Sequence, residues 1–431
     1  MTGPLTLVLG MLVVTLAGGV WVGVGLMSIG IVALEVFRDM RVDRFLAGDI
    51  WSSSTAVELI TLPLFILMGE ILFHTRLSEN LFAGLSPWTR RLPGRLLHVN
   101  VLGCTLFAAV SGSSAATTAT VGRITLQELL GRGYDRRLAV GSLAGAGTLG
   151  FLIPPSIPMI VYGVVADVSI LELFMAGIVP GLMLALMFMG WIGFRAWQDP
   201  KLVPAREPAI PRKEALIALG QLAPIAFLIL FVMGSLYFGF ASITEAAAIG
   251  VLGSLIVALA QRTLTLAGMW GALLGTVRTC SMIGLIIVGA LFLSKAMARL
   301  GLPADVANAI QSWGLHPWML IFVLLLFYLA LGCILDGLSA IVMTLPVTLP
   351  LAVAAGFDPI WFGVFLIITI EMAQITPPVG FNLFVIQGLT KEGIFRIAAY
   401  AWPFCVIMMI FTALITVVPD IVTALPKSLR G

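Results

Sequence analysis

Two short runs of small and hydroxyl-bearing residues interrupt an otherwise apolar chain. The run at 111–120, SGSSAATTAT, gathers Ser111, Ser113, Ser114, Thr117, Thr118 and Thr120 around Gly112. The run at 334–344, ILDGLSAIVMT, carries Asp336, Gly337 and Ser339. Hydroxyl and carbonyl oxygens are hard donors that suit an alkali cation, with no carboxylate required. The same small residues also serve plain helix packing. Two proline pairs, in GFLIPPS (150–156) and AQITPPVG (373–380), sit inside long apolar stretches. Each proline removes a backbone donor and clashes with the preceding turn. The freed carbonyls of such a break can coordinate a cation, and half-helix N-termini can face an anion. The alternative is a proline kink relieved by neighbouring helices. Ser156 and Thr376 flank the two pairs.

Ionisable residues at membrane depth are costly and usually functional. Asp336 stands alone in its apolar segment; it can ligate a cation, carry a proton, or pair with Arg299 or Lys295. Lys295 and Arg299 share one helix face at i, i+4. They can meet a substrate carboxylate, or snorkel to the interface. Glu58, Glu70, Glu245 and Glu371 fit helix-end or inter-domain polar contacts better. The four cysteines show no ligand spacing, so neither a transition-metal site nor a disulfide framework is expected. An intramembrane serine hydrolase built on SGSS lacks a positioned base, because His74, His98 and His316 fall near predicted membrane boundaries. The chain is not expected to be an enzyme, to carry a cofactor or to bind nucleic acid.

The elements that must position these residues are membrane helices. Of 431 residues, 60% are hydrophobic and 10% charged, against about 25% charged in soluble domains. The fold class is an all-α polytopic membrane protein. The first residues, MTGPLTLVLGMLVV, lack a positive n-region and read as a first membrane segment, not a signal peptide. The Pro-rich stretch 196–214 separates two halves, 1–195 and 215–431, as a cytoplasmic linker. The halves share landmarks at one offset, 223: Asp135 and Asp358, Pro154 and Pro377, Pro180 and Pro403, Arg76 and Arg299. This argues for an internal duplication. Gly112 aligns with Gly337 only with a slip of two. Each half is read as scaffold helices plus a re-entrant hairpin (about 96–130 and 317–352) and a broken helix (about 138–165 and 360–388). An odd number of crossings separates the halves, so the copies are inverted, as in secondary transporters. An external N-terminus puts most Lys and Arg inside, leaving Arg38, Arg41, Arg44, Lys295, Arg299, Lys427 and Arg430 outside.

The motifs SGSSAATTATVG, GTLGFLIPPS, ITEAAA, LDGLSAIVMTLP and QITPPVGFNLF, in that order, resemble the large membrane subunit of tripartite ATP-independent periplasmic (TRAP) transporters, over residues about 5 to 420. The resemblance implies an elevator-type secondary transporter with a scaffold and a mobile transport domain. It implies sodium-coupled uptake of an organic acid: a C4-dicarboxylate, sialic acid, or another sugar or keto acid. The expected partners are a small four-helix membrane subunit and a periplasmic substrate-binding protein, in a bacterial inner membrane. Carried onto this chain, the sodium ligands come from Ser111, Ser113 and Ser114, from the stretch near Gly150 and Pro154, and from Asp336, Gly337, Thr376 and Gly380. Substrate handling or coupling falls to Ser156, Thr117, Arg299 and Asp336. A single-component sodium/dicarboxylate symporter of similar architecture is the alternative.

Overall fold

A computed structural model describes residues 2–56, 58–205, 211–302, 305, 308 and 316–430. Among these the chain is helical throughout, with no strand. Six helices are long and apolar enough to cross a membrane, and up to eight spans result if two bent helix pairs each count as one. Residues 206–210 of the expected linker lie outside the described residues. The helix Ile170–Gln198 runs into the stretch read as linker, ending just before Pro200, and a short 3₁₀ turn Pro200–Leu202 follows.

Two groups of helices pack within the fold. Val22–Phe37, Glu58–Phe73, Ile243–Ala260 and Leu266–Arg299 lie against one another. The other group holds the interrupted segments. Helices Leu97–Ser111 and Ser114–Gly131 form one hairpin, and Pro317–Gly332 and Gly337–Ala354 form another. The first break separates Arg136–Gly147 and the single turn Leu149–Leu152 from Ile157–Ala166. The second separates Pro359–Gln374 from Phe381–Thr390. The Pro154–Pro155 and Pro377–Pro378 bonds are both cis. Helix Ile394–Val417 packs on both Arg136–Gly147 and Pro359–Gln374.

Local chemistry fixes where these helices start. Asp135 and Asp358 are N-caps whose carboxylates accept from Leu138 N–H (2.9 Å) and from Ile360 and Trp361 N–H (2.8 and 3.1 Å). Ser113 and Asp336 cap the second arms of the two hairpins, accepting from Ala116 N–H (3.4 Å) and Ser339 N–H (3.1 Å). Such caps satisfy amide donors that a helix start leaves orphaned. Both cap pairs sit 223 residues apart. The hairpin register therefore needs no slip: Asp336 matches Ser113 and Gly337 matches Ser114, in place of the expected match of Gly112 with Gly337. Two helices, Val42–Ser54 and Leu77–Thr89, were not among the expected spans, being too polar to read as such.

Helix Pro359–Gln374 is the centre of the molecule. Every residue from Ile360 to Gln374 is buried, Trp361, Phe362 and Phe365 almost completely. A helix apolar on all faces belongs in a core, and Glu371 is its one carboxylate.

Candidate functional site

The first hairpin tip closes on the first proline break. Gly112 takes a left-handed conformation (φ 57°), which glycine adopts without strain. Its carbonyl accepts from Ile157 N–H (3.3 Å). Gly150 permits a close approach of backbone to backbone: a Cβ there would stand 2.6–2.7 Å from the Ser114 Cα and N and the Ser113 carbonyl oxygen. Pro154 and Pro155 have no N–H, so the carbonyls of Gly150 and Phe151 lose their i+4 donors. The Ser156 hydroxyl replaces one of them by donating to the Phe151 carbonyl, and its oxygen caps Met159 N–H (3.4 Å). In the second half, Gly380 N–H donates to the Cys333 carbonyl at the other hairpin turn (3.4 Å). The Thr376 hydroxyl donates back to the Met372 carbonyl (2.7 Å).

The two halves meet at Ser114. Its hydroxyl lies 2.8 Å from Glu371 Oε2 and 3.1 Å from the Gly147 carbonyl, and it accepts from Asn382 Nδ2 (2.6 Å). Glu371 Oε1 accepts from Phe151 N–H (3.1 Å). Ser114, Glu371 and Asn382 are all buried. One carboxylate from the second half thus ties the first hairpin tip to the first break. Gly337 faces the same centre, where a Cβ would meet the Phe151 ring at 2.7 Å and Gln374 Nε2 at 3.4 Å. Beside it, Ser111 and Thr117 share a hydroxyl contact of 2.8 Å. Two oxygens here are poor in partners: Thr118 Oγ1, which lies against Gly147, and Asn382 Oδ1 are buried and unpaired. A hard cation fits that donor chemistry, since unpaired buried oxygens are otherwise costly.

A cleft of about 390 Å³ reaches this tip from the side of helices Glu58–Phe73 and Leu266–Arg299. Ser111, Ser113, Ala116, Ile157, Thr279 and Glu70 are among its walls. Glu70 is the one charged side chain among the described residues that line it. A volume of this order suits a small ligand.

Ser111, Ser113, Ser114, Thr117, Gly150, Pro154 and Ser156 therefore gather at the first tip and break. Gly337 joins them, whereas Asp336 serves as the cap of its own helix, and Thr376 and Gly380 shape the second break. Arg299 has other neighbours: its guanidinium lies over the Phe45 ring (4.2 Å), and its carbonyl accepts from Arg38 (2.7 Å). Lys295 pairs with buried Asp49, not with Asp336. Glu371, expected as a helix-end or inter-domain polar contact, makes such a contact between the two halves; a lone carboxylate inside a helix apolar on every face marks a buried partner. Asn382, two residues past Gly380, is the member of the network that the sequence expectations do not include.

The family model for the tripartite ATP-independent periplasmic transporter, DctM component, matches residues 9–421. The chain belongs to this family. Among its relatives, the C4-dicarboxylate TRAP transporter large permease protein DctM of Rhodobacter capsulatus is 31% identical, over 98% of this chain and 99% of the relative. The sialic acid TRAP transporter large permease protein SiaM of Vibrio cholerae is 29% identical, over 96% of this chain and 97% of the relative. In fold, the chain is similar to the YdaH transporter of Alcanivorax borkumensis, with a TM-score of 0.51 and 13% identity over 86% of each chain. This TRAP large permease is a transporter subunit and not an enzyme, and a multi-pass membrane protein.

Proposed function

We propose that this TRAP large permease couples uptake of a small organic acid to a sodium gradient. The observation that carries the reading is the Ser114–Glu371–Phe151–Asn382 network, where a hairpin tip, two proline breaks and unpaired oxygens converge in the protein interior. Sodium held by hydroxyls and freed carbonyls of the first tip and break would lock the tip against Gly150. The cleft beside it supplies the reason for coupling. Glu70 is its charged wall, so an anionic substrate there meets like charge. A bound cation, with the N-terminal turn of helix Ser114–Gly131, supplies the compensating field.

The helices around the two hairpins and breaks form the moving domain, and the group containing Leu266–Arg299 forms the scaffold, as in an elevator. The two halves are inverted copies, with the N-terminus on the periplasmic side of a bacterial inner membrane. A small membrane subunit and a periplasmic binding protein complete the assembly, and the binding protein delivers the acid. The relatives' names place C4-dicarboxylates and sialic acid among the acids to test. The test is uptake of labelled acids into proteoliposomes holding the complex and its binding protein. Uptake should rise at least tenfold with an inward sodium gradient, against potassium. Equal uptake in both salts, across acids that are transported, would remove sodium from the mechanism.

A further inference from the structure

A second crevice lies at one end of the bundle, away from the proposed cation site. It encloses about 730 Å³ between the starts of helices Arg136–Gly147 and Ile394–Val417 and the end of Ile170–Gln198. Three guanidinium groups line it: Arg137, Arg195 and Arg396. Its floor is apolar and aromatic, with Trp191, Tyr400 and Phe404. The wall is built in, because Asp135 N–H donates to the Leu202 carbonyl (2.9 Å) and holds the turn Pro200–Leu202 against the helix start. Two carboxylates share the crevice, Asp135 and Asp199, and both accept from backbone N–H groups, of Leu138 (2.9 Å) and Lys201 (3.1 Å). Neighbouring Arg136 is taken up by Glu392. Arg195 lies over the Trp191 ring at 5.9 Å and bonds Gln198 (3.5 Å). Arg137 and Arg396 are exposed and have no ion-pair partner among the described residues.

We infer that this crevice binds the headgroup of an anionic phospholipid. Arginines above an aromatic floor, at the end of apolar spans, match a phosphodiester at headgroup level with acyl chains running beside the aromatic rings. Basic pockets between membrane helices take lipids of this class. Lipid binding here does not depend on which acid the protein carries. The site joins helices from both halves, so a bound lipid would brace the packing of Ile394–Val417 on Arg136–Gly147.

The experiment is native mass spectrometry of the purified full-length protein, titrated with phosphatidylglycerol or phosphatidylcholine of matched chains. Wild type should retain phosphatidylglycerol in preference to phosphatidylcholine. The double variant R137Q/R396Q should bind phosphatidylglycerol about 30-fold more weakly, from two surface charges, whereas R137K/R396K should keep most of the binding. Glycerol phosphate without chains should compete only weakly. Equal retention of both lipids, wild-type retention by the glutamine pair, or equal loss in the lysine and glutamine pairs would overturn the inference. Full competition by glycerol phosphate would assign the crevice to a soluble anion and overturn it too, and capture of an acidic protein partner with no lipid preference would do the same.

Discussion

Removal of the Ser114 hydroxyl should unlock the first hairpin tip, while replacing its partner Glu371 with glutamine should not. In Ser114→Ala, Glu371 Oε2 loses its hydroxyl donor at 2.8 Å and Asn382 Nδ2 loses its acceptor at 2.6 Å. Asn382 Oδ1 already has no partner, so the whole buried amide is stranded. Each stranded buried group costs about 1–3 kcal/mol, more where a charge is involved. Allowing for water entering the gap, the tip loses about 3 kcal/mol against opening, or roughly a 100-fold larger open population. Glu371→Gln has a way to keep a hydrogen bond at each contact of the network. The glutamine carbonyl accepts from Phe151 N–H and its amide donates to Ser114 Oγ, which keeps its bond from Asn382 and turns its proton to the Gly147 carbonyl at 3.1 Å. Hydrogen exchange of amides 111–118, read by mass spectrometry, measures this local opening. Exchange should accelerate by about 100-fold in Ser114→Ala and by less than about threefold in Glu371→Gln. Near-wild-type exchange in Ser114→Ala, or equal acceleration in both variants, would refute the shared-hydroxyl account.

Three further outcomes follow from the structure. Gly150→Ala places a Cβ 2.6–2.7 Å from the backbone of Ser113 and Ser114, which cannot rotate away, so uptake should fall at least tenfold. Gly131→Ala, with nothing within 4 Å of its Cβ, should transport normally; normal uptake by Gly150→Ala would show that the tip need not close on the break. At Asp336, asparagine caps a helix as well as aspartate does, whereas alanine costs about 1 kcal/mol. Thermal melting should therefore match wild type in Asp336→Asn and fall in Asp336→Ala, and equal melting of the two variants would contradict the cap. If the Asp336 charge helps to hold the coupling ion, the asparagine variant should need more sodium for half-maximal uptake. An unchanged sodium requirement would take Asp336 out of the ion site.

The sequence by itself determined the all-helical membrane class, through composition and the length of its apolar runs. It located the two interrupted regions, because glycine, proline and clustered hydroxyls act within a few residues of where they stand. Asp135 and Asp358 stand out in the sequence only as landmarks of the repeat; the structure shows them as caps that bond amides two or three residues away. Family membership was legible because its motifs are short and ordered along the chain. The site's connections were not legible, because they depend on which helices pack together. Ser114 and Glu371 are 257 residues apart, and no local pattern reports that the last turns of Pro359–Gln374 face the first hairpin tip. Only tertiary packing set Arg299 over Phe45 and gave Lys295 to Asp49, although both charges looked equally able to meet a substrate. A buried carboxylate acquires its role from the donors that surround it, and here both donors, the Ser114 hydroxyl and Phe151 N–H, come from the opposite half of the chain.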